Sequence, residues 1–285
     1  MLSKIAVIVC GNSGIDYMKH EYKIDVFRSI LYVDEKEYED FVDITADNFY
    51  QTLIANPHTD VKTSQTATGK MLEVYIRLKS EGYTEAIVVT IASLLSGTYQ
   101  NAVLASQMIE DFKVTVFDSK IVTYPEAKMA LTAAKMAKQG STTEQIIAVL
   151  EKIRDNSTIY FAVDTLKYLI KNGRLSVAKG LIANLLKLKP LLWVNKEGKI
   201  ESVEKIRTAQ GARKRLLEKY FEETEGLDVE PYIVYTNNEA IAKEFAHQIM
   251  DKNPKIKHIE MYPLTPVVGA HAGPGAIALG YIKKF

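Results

Sequence analysis

The run AIVVTIASLLSGTYQ, from Ala86 to Gln100, constrains the fold of this chain more than any other stretch. Ile87, Val88 and Val89 are consecutive β-branched residues, the pattern of a strand covered on both faces in a parallel sheet. Gly97 then closes a turn of small and hydroxyl residues, and the spacing predicts a helix through Ala102, Val103, Leu104 and Ile109. Ser93, Ser96 and Thr98 fall around its first turn, where unpaired backbone N–H groups attract negative charge. Two readings follow: an anion cradle, or hydroxyls that merely cap a helix.

The rest of the chain repeats this alternation. Strands are expected at Lys4–Cys10, near Phe27–Val33 and at Val114–Phe117, with a helix from Thr45 bearing Phe49, Leu53 and Ile54 inward. A helix after Thr68 presents Leu72, Tyr75, Ile76 and Leu78. Glu126–Lys138 forms another, stopped by Gly140, and Ser141 with Glu144 reads as a capping box for Glu144–Arg154. Beyond lie a strand at Thr158–Val163, a short helix at Leu166–Ile170, a longer one from Ser176 to Pro190, and a hairpin around Lys196–Lys199. Helices at Ala209–Glu223 and Asn238–Lys252 flank a strand at Pro231–Thr236. Strand and helix in alternation imply α/β architecture, with mostly parallel sheets wrapped by helices. The 285 residues divide into an N-terminal domain over 1–157 and a C-terminal domain over 158–285.

Composition excludes several function classes. With 36 basic and 35 acidic side chains, nothing draws the chain to nucleic acid as a whole. The single Cys10 permits no internal disulfide and no multi-cysteine metal site, and it is expected to be buried. Met1–Val9 lacks the pattern of a signal peptide, which implies a cytoplasmic address. Met261–Ile282 holds no charged residue, yet its prolines and glycines forbid a lone transmembrane helix, so a buried loop and strand are expected there. GNSG at Gly11–Gly14 is a tight turn, neither a Walker loop nor a dinucleotide fingerprint.

A second hydroxyl cluster, KTSQTAT at Lys62–Thr68, again precedes a helix, and His271 stands alone among small residues in VVGAHAGPGAIALGYI. Together with EYEDFVDIT at Glu37–Thr45, FDSKIVT at Phe117–Thr123 and YLIKNGRLS at Tyr168–Ser176, these segments resemble the DegV family over nearly the whole length. The resemblance implies a two-domain DegV-like fold with the ligand site between the domains. It implies a lipid-binding protein that holds a long-chain fatty acid in a buried apolar tunnel and is not catalytic by itself. Its carboxylate would be presented to a partner, the catalytic subunit of a fatty acid kinase, which makes the acyl phosphate used in phospholipid synthesis. No cofactor or metal belongs to the carrier. By the same resemblance Thr63, Ser93, Ser96, Gly97, Thr98 and His271 bind the carboxylate, with Ser64 and Gln65 beside Thr63, and Arg174 faces the phosphate or the kinase. Two positions depart from the family pattern: Asn12 precedes Ser13 where Asp is usual, and Thr66 follows TSQ where proline is usual.

Other readings stay open at this level. His271 can simply satisfy a loop carbonyl. The basic stretch of Lys167, Lys171, Arg174, Lys179, Lys187 and Lys189 against Asp164 suits an acidic partner, nucleotide phosphates, transient contact with an anionic membrane surface, or plain solvent. A serine acyl hydrolase would use Ser93 or Ser96 as nucleophile, His271 as base and Asp118 as orienter, although no GxSxG elbow is present. A hydroxyketone-phosphate protein lacks the concentrated Asp set that magnesium needs.

Overall fold

The computed structural model describes residues 4–175 and 188–285, which divide into two compact units. Unit 1 comprises residues up to Ile30 together with Thr63–Asp155, and unit 2 comprises Leu31–Lys62 and Asn156–Phe285. The helix expected from Ser176 lies, but for its last residues, outside the described residues, as do Lys179 and Lys187.

Unit 1 is built on a four-stranded sheet in the order β2 (Asp25–Phe27), β1 (Ile5–Cys10), β6 (Glu85–Thr90), β7 (Lys113–Asp118), with every pair parallel. Ala6, Ile8, Ala86 and Val88 point to one face. There they pack with Met71, Tyr75 and Leu78 of α2 (Thr68–Ser80) and Ala102 and Ala105 of α3 (Thr98–Ser106). The alternate residues Val7, Val9, Ile87 and Val89 are equally buried, and α4 (Tyr124–Lys138) packs along β1 and β6. The β-branched runs are therefore covered on both faces, as their lack of alternation requires. Because the strands run parallel, Cys10, Thr90 and Asp118 end at the same edge, and the loops after them converge there.

Helix faces correct the sequence reading in detail. Ile76 is exposed and Met71 takes its place inside; Leu104 is exposed, and α3 stops before Ile109. In α1 (Ala46–Ala55) Ile54 is exposed, whereas Tyr50 is buried with Phe49 and Leu53. The cap of α5 (Thr143–Asn156) lies one residue beyond Ser141: Thr142 N donates to Gln145 Oε1 (2.9 Å) and Gln145 N to Thr142 Oγ1 (3.3 Å). This is the reciprocal capping box, set on Thr142 and Gln145.

Unit 2 carries a six-stranded sheet in the order β10 (Ile200–Glu204), β9 (Leu191–Val194), β8 (Ser157–Ala162), β13 (Ile277–Lys283), β11 (Val229–Tyr235), β12 (Glu260–Pro263). Four of its five pairings are antiparallel and only β11–β12 is parallel, so the expectation of mostly parallel sheets holds for unit 1 and not here. The β9–β10 hairpin accounts for part of this. Its turn is set by Asn195 Oδ1, which accepts from Glu197 N and Lys199 N, and by Gly198 at φ 90°. β13 then returns antiparallel between β8 and β11. After the short helix α6 (Lys167–Lys171), α7 (Ala209–Thr224) and α8 (Glu239–Lys252) cover the core with Leu216, Tyr220, Phe245 and Ile249.

The stretch before β13 is not a loop: Pro266–Ala272 forms a helix, α9, with Pro266 in its first turn. The segment Leu31–Lys62 belongs to unit 2 because it docks on that helix. Tyr50 Oη donates to Leu264 O (2.8 Å), and Val267 N donates to the buried Asp40 Oδ1 (3.1 Å). Gly269 leaves room for the Tyr50 ring, whose Oη would lie 2.2 Å from any Cβ there. β4 (Lys36–Glu39), β3 (Ile30–Val33) and β5 (Val61–Ser64) make a small three-stranded sheet. No helix among the described residues is long and apolar enough to cross a membrane.

Candidate functional site

The hydroxyl loop after β6 is held at the strand-end edge of the unit 1 sheet. Ala92 N donates to Ile121 O (2.9 Å) and Ser119 N to Thr90 O (3.1 Å), lacing it to the loop after β7. Ser93 then engages Asp118 twice: its Oγ donates to Oδ2 (2.6 Å) and its N to Oδ1 (3.1 Å). Lys120 N also donates to Oδ1 (3.0 Å). Ser96 Oγ and Thr98 Oγ1 share a hydrogen bond of 2.9 Å, and Ser96 Oγ accepts from Thr98 N (3.3 Å). The N-cap of α3 is Gly97, with no side-chain cap; Ser96, one residue earlier, accepts from the first helical N–H, while Ser93 points elsewhere.

The KTSQTAT segment meets this loop. Gln65 lies against Gly97, where a Cβ would come 2.8 Å from Gln65 Nε2, so any side chain at 97 displaces the end of the Gln65 side chain. Asn101 Nδ2, in α3, donates to Thr66 O (3.0 Å), and Thr66 Oγ1 donates to Arg28 O (2.7 Å). The hydroxyl at position 66 therefore ties down the neighbouring strand end, a bond that a proline there could not make. Thr63, half-buried near the end of β5, precedes Gln65 by two residues. Unit 1 thus gathers Ser93, Ser96, Gly97, Thr98 and Gln65 into one constellation.

Unit 2 brings His271 and Arg174 together. His271 sits in the last turn of α9 rather than in a loop, and Asn172 Nδ2, just before Arg174, donates to Ala270 O (3.0 Å). Gly273 (φ 78°) packs under the Tyr168 ring, and Gly275 (φ 81°) under the Asp164 carboxylate. Residues 168–175 and 271–275 are therefore one packed structure. Burial, reinforced by the Arg174 guanidinium, holds the His271 pKa down to about 3, so the imidazole is neutral at neutral pH. Arg174 is itself half-buried, which lowers its pKa, and its Nη1 donates to Asn172 O (2.6 Å). It is not a plain solvated surface arginine. Lys171 and Lys62 pair with Asp60, and Arg213 with Asp164 (3.0 Å), so the basic stretch meets more acid than Asp164 alone.

Two features escaped the sequence reading. Asp118 holds Ser93 directly, where the hydrolase reading needs an aspartate that orients a histidine. Asn12 Nδ2 donates to Glu126 Oε2 (2.7 Å) in a fully buried pair beside Cys10. Burial pushes the Glu126 pKa well up, and burial above all raises that of the Cys10 thiol, leaving it inert. No group of three His, Cys, Asp or Glu among the described residues can hold a metal ion.

Residues 4–284 match the model of the DegV family, a family of uncharacterised proteins. This chain belongs to the DegV family. A DegV domain-containing protein of Listeria monocytogenes is 31% identical over 286 residues, covering 100% of both chains. Among solved structures, the fatty acid binding DegV family protein of Streptococcus agalactiae superposes with a TM-score of 0.88 at 28% identity, over 99% of this chain and 100% of that one. DegV of Bacillus subtilis, a fatty acid binding protein, gives 0.85 at 29% identity with the same coverage. The DegV fold thus accounts for this chain from end to end, including the mixed sheet of unit 2.

Proposed function

We propose that this DegV-family protein binds a long-chain fatty acid and presents its carboxyl group to a kinase partner for conversion to the acyl phosphate. The observation that carries the reading is the full-length likeness to two fatty-acid-binding DegV structures at 28% and 29% identity. The Ser93–Thr98 loop supports it locally, since hydroxyls and helix-end amides suit a carboxyl head group. Burying about sixteen carbons at about 0.8 kcal/mol each gives on the order of 10 kcal/mol before ordering costs, so the tail supplies the affinity. The head group must still be hydrogen-bonded, because a buried carboxyl without partners costs several kcal/mol.

In this reading Thr63, Ser93, Ser96, Gly97, Thr98 and His271 serve the carboxyl group, and Arg174 serves the incoming phosphate or the kinase surface. A neutral His271 donates one hydrogen bond without adding charge. Nucleotide and metal belong to the kinase; the carrier works in the cytoplasm, supplies positioning and has no catalytic activity of its own. Native mass spectrometry of protein purified without added lipid tests the reading: a mass excess matching long-chain fatty acids is expected. Ligand-free protein that also refuses added palmitic acid overturns it.

A further inference from the structure

Ser93 has one hydroxyl proton, and the structure shows where it goes: Oγ donates it to Asp118 Oδ2 at 2.6 Å. Asp118 is fixed in that role, because its other oxygen already accepts from Ser93 N and Lys120 N. Ser93 therefore faces a ligand with lone pairs only. The Ser96–Thr98 pair differs. Two hydroxyl protons and one bond between the oxygens leave one proton over for an outside acceptor. The loop offers one acceptor and one donor, whereas an ionised carboxylate can only accept.

We propose that Asp118 is a positioning residue that sets Ser93 as an acceptor, so the site selects acyl chains whose head group carries a proton, the neutral carboxylic acid over the carboxylate. This rests on the fatty-acid-binding reading and says which form of the head group is recognised. The acid hydroxyl donates to Ser93 Oγ, and its carbonyl oxygen accepts the remaining proton of the Ser96–Thr98 pair. An acceptor-only head group would set its lone pairs against those of Ser93.

Asp118→Asn reverses the polarity by geometry. The two backbone N–H donors retain the amide oxygen in the Oδ1 position, which leaves the amide nitrogen facing Ser93 Oγ and donating to it. Ser93 then turns its proton toward the ligand. The test compares 1-hexadecanol, which donates and accepts, with hexadecanal, which only accepts, in competition against a fluorescent fatty acid on the full-length chain. Wild type should favour the alcohol by about tenfold, the worth of one ordinary hydrogen bond plus an avoided lone-pair clash. Asp118→Asn should level or invert the ratio, and Ser93→Ala should level it. A merely structural Asp118 would weaken both ligands alike and leave the ratio unchanged; that result overturns the proposal. Should Asp118→Asn fail to fold, Ser93→Ala decides, because retention of the wild-type ratio there also overturns it. Failure of folded wild type to bind either ligand or palmitic acid is a different result, which removes the fatty-acid reading itself.

Discussion

Replacing Gly273 by alanine should destabilise unit 2 far more than the same change at Gly140, although both glycines have positive φ. At Gly140 (φ 84°) no atom lies within 4 Å of an added Cβ, so the methyl group pays only the left-handed backbone penalty, about 1–2 kcal/mol. At Gly273 (φ 78°, ψ 170°) the backbone occupies a region essentially reserved for glycine, at about 1–3 kcal/mol. The Cβ would also sit 2.3 Å from Tyr168 Cδ2 and 2.6 Å from Cε2, forcing a buried ring to move at about 1–3 kcal/mol more. The sum is about 2–6 kcal/mol, with a midpoint of about 4, against about 1–2 for Gly140→Ala. Urea unfolding at neutral pH, followed by tryptophan fluorescence and circular dichroism, measures both. Tyr168→Ala should relieve the steric part, so the double variant should be less unstable than the sum of the singles. Gly273→Ala within 1 kcal/mol of Gly140→Ala, or strict additivity with Tyr168→Ala, would refute the packing of HAGPG under Tyr168.

Further outcomes follow from the same structure. Thr142→Ala should cost about 1 kcal/mol by removing the cap of α5, and Ser141→Ala close to nothing; thermal melts of the two variants decide which residue caps the helix. Glu126 holds its proton to higher pH in the folded chain than in the unfolded one, so its contribution to stability is full below about pH 4.5 and is lost as pH rises through its elevated folded pKa. Glu126→Gln should flatten that loss, and denaturation midpoints at pH 5 and pH 8 measure it. His271 works in the opposite direction: its pKa of about 3 when folded, below the unfolded value of about 6.5, makes stability fall as pH drops from about 6.5 toward 3. His271→Gln should remove that component of the acid limb.

How far the sequence carried the fold depended on how local the deciding forces were. The Ala86–Gln100 run specified strand, turn and helix unaided, because continuous β-branching and a glycine-closed turn act over neighbouring residues. Helix faces were less legible. Ile54 and Ile76 are as apolar as the residues that replace them inside, and only tertiary packing turns Tyr50 and Met71 to the core. Pro266 looked like a helix breaker when it was in fact a first-turn residue, which the small residues after it concealed. The docking of Leu31–Lys62 on α9 joins partners more than 200 residues apart, and β13 pairs with β8 more than 100 residues away, both beyond any local pattern. In the candidate site, the hydroxyls were visible as residue types. Their polarity was not, since the Ser93–Asp118 bond joins two strand ends 25 residues apart.

A crystal structure of the protein loaded with a fatty acid brominated at its terminal carbon tests the central claim most directly, because the anomalous signal fixes which end of the chain is which. The account predicts the carboxyl group within hydrogen-bond distance of Ser93 Oγ and of a hydroxyl of the Ser96–Thr98 pair, with bromine in an apolar interior. Bromine beside those hydroxyls, or an acid bound with its carboxyl group remote from them, would contradict it.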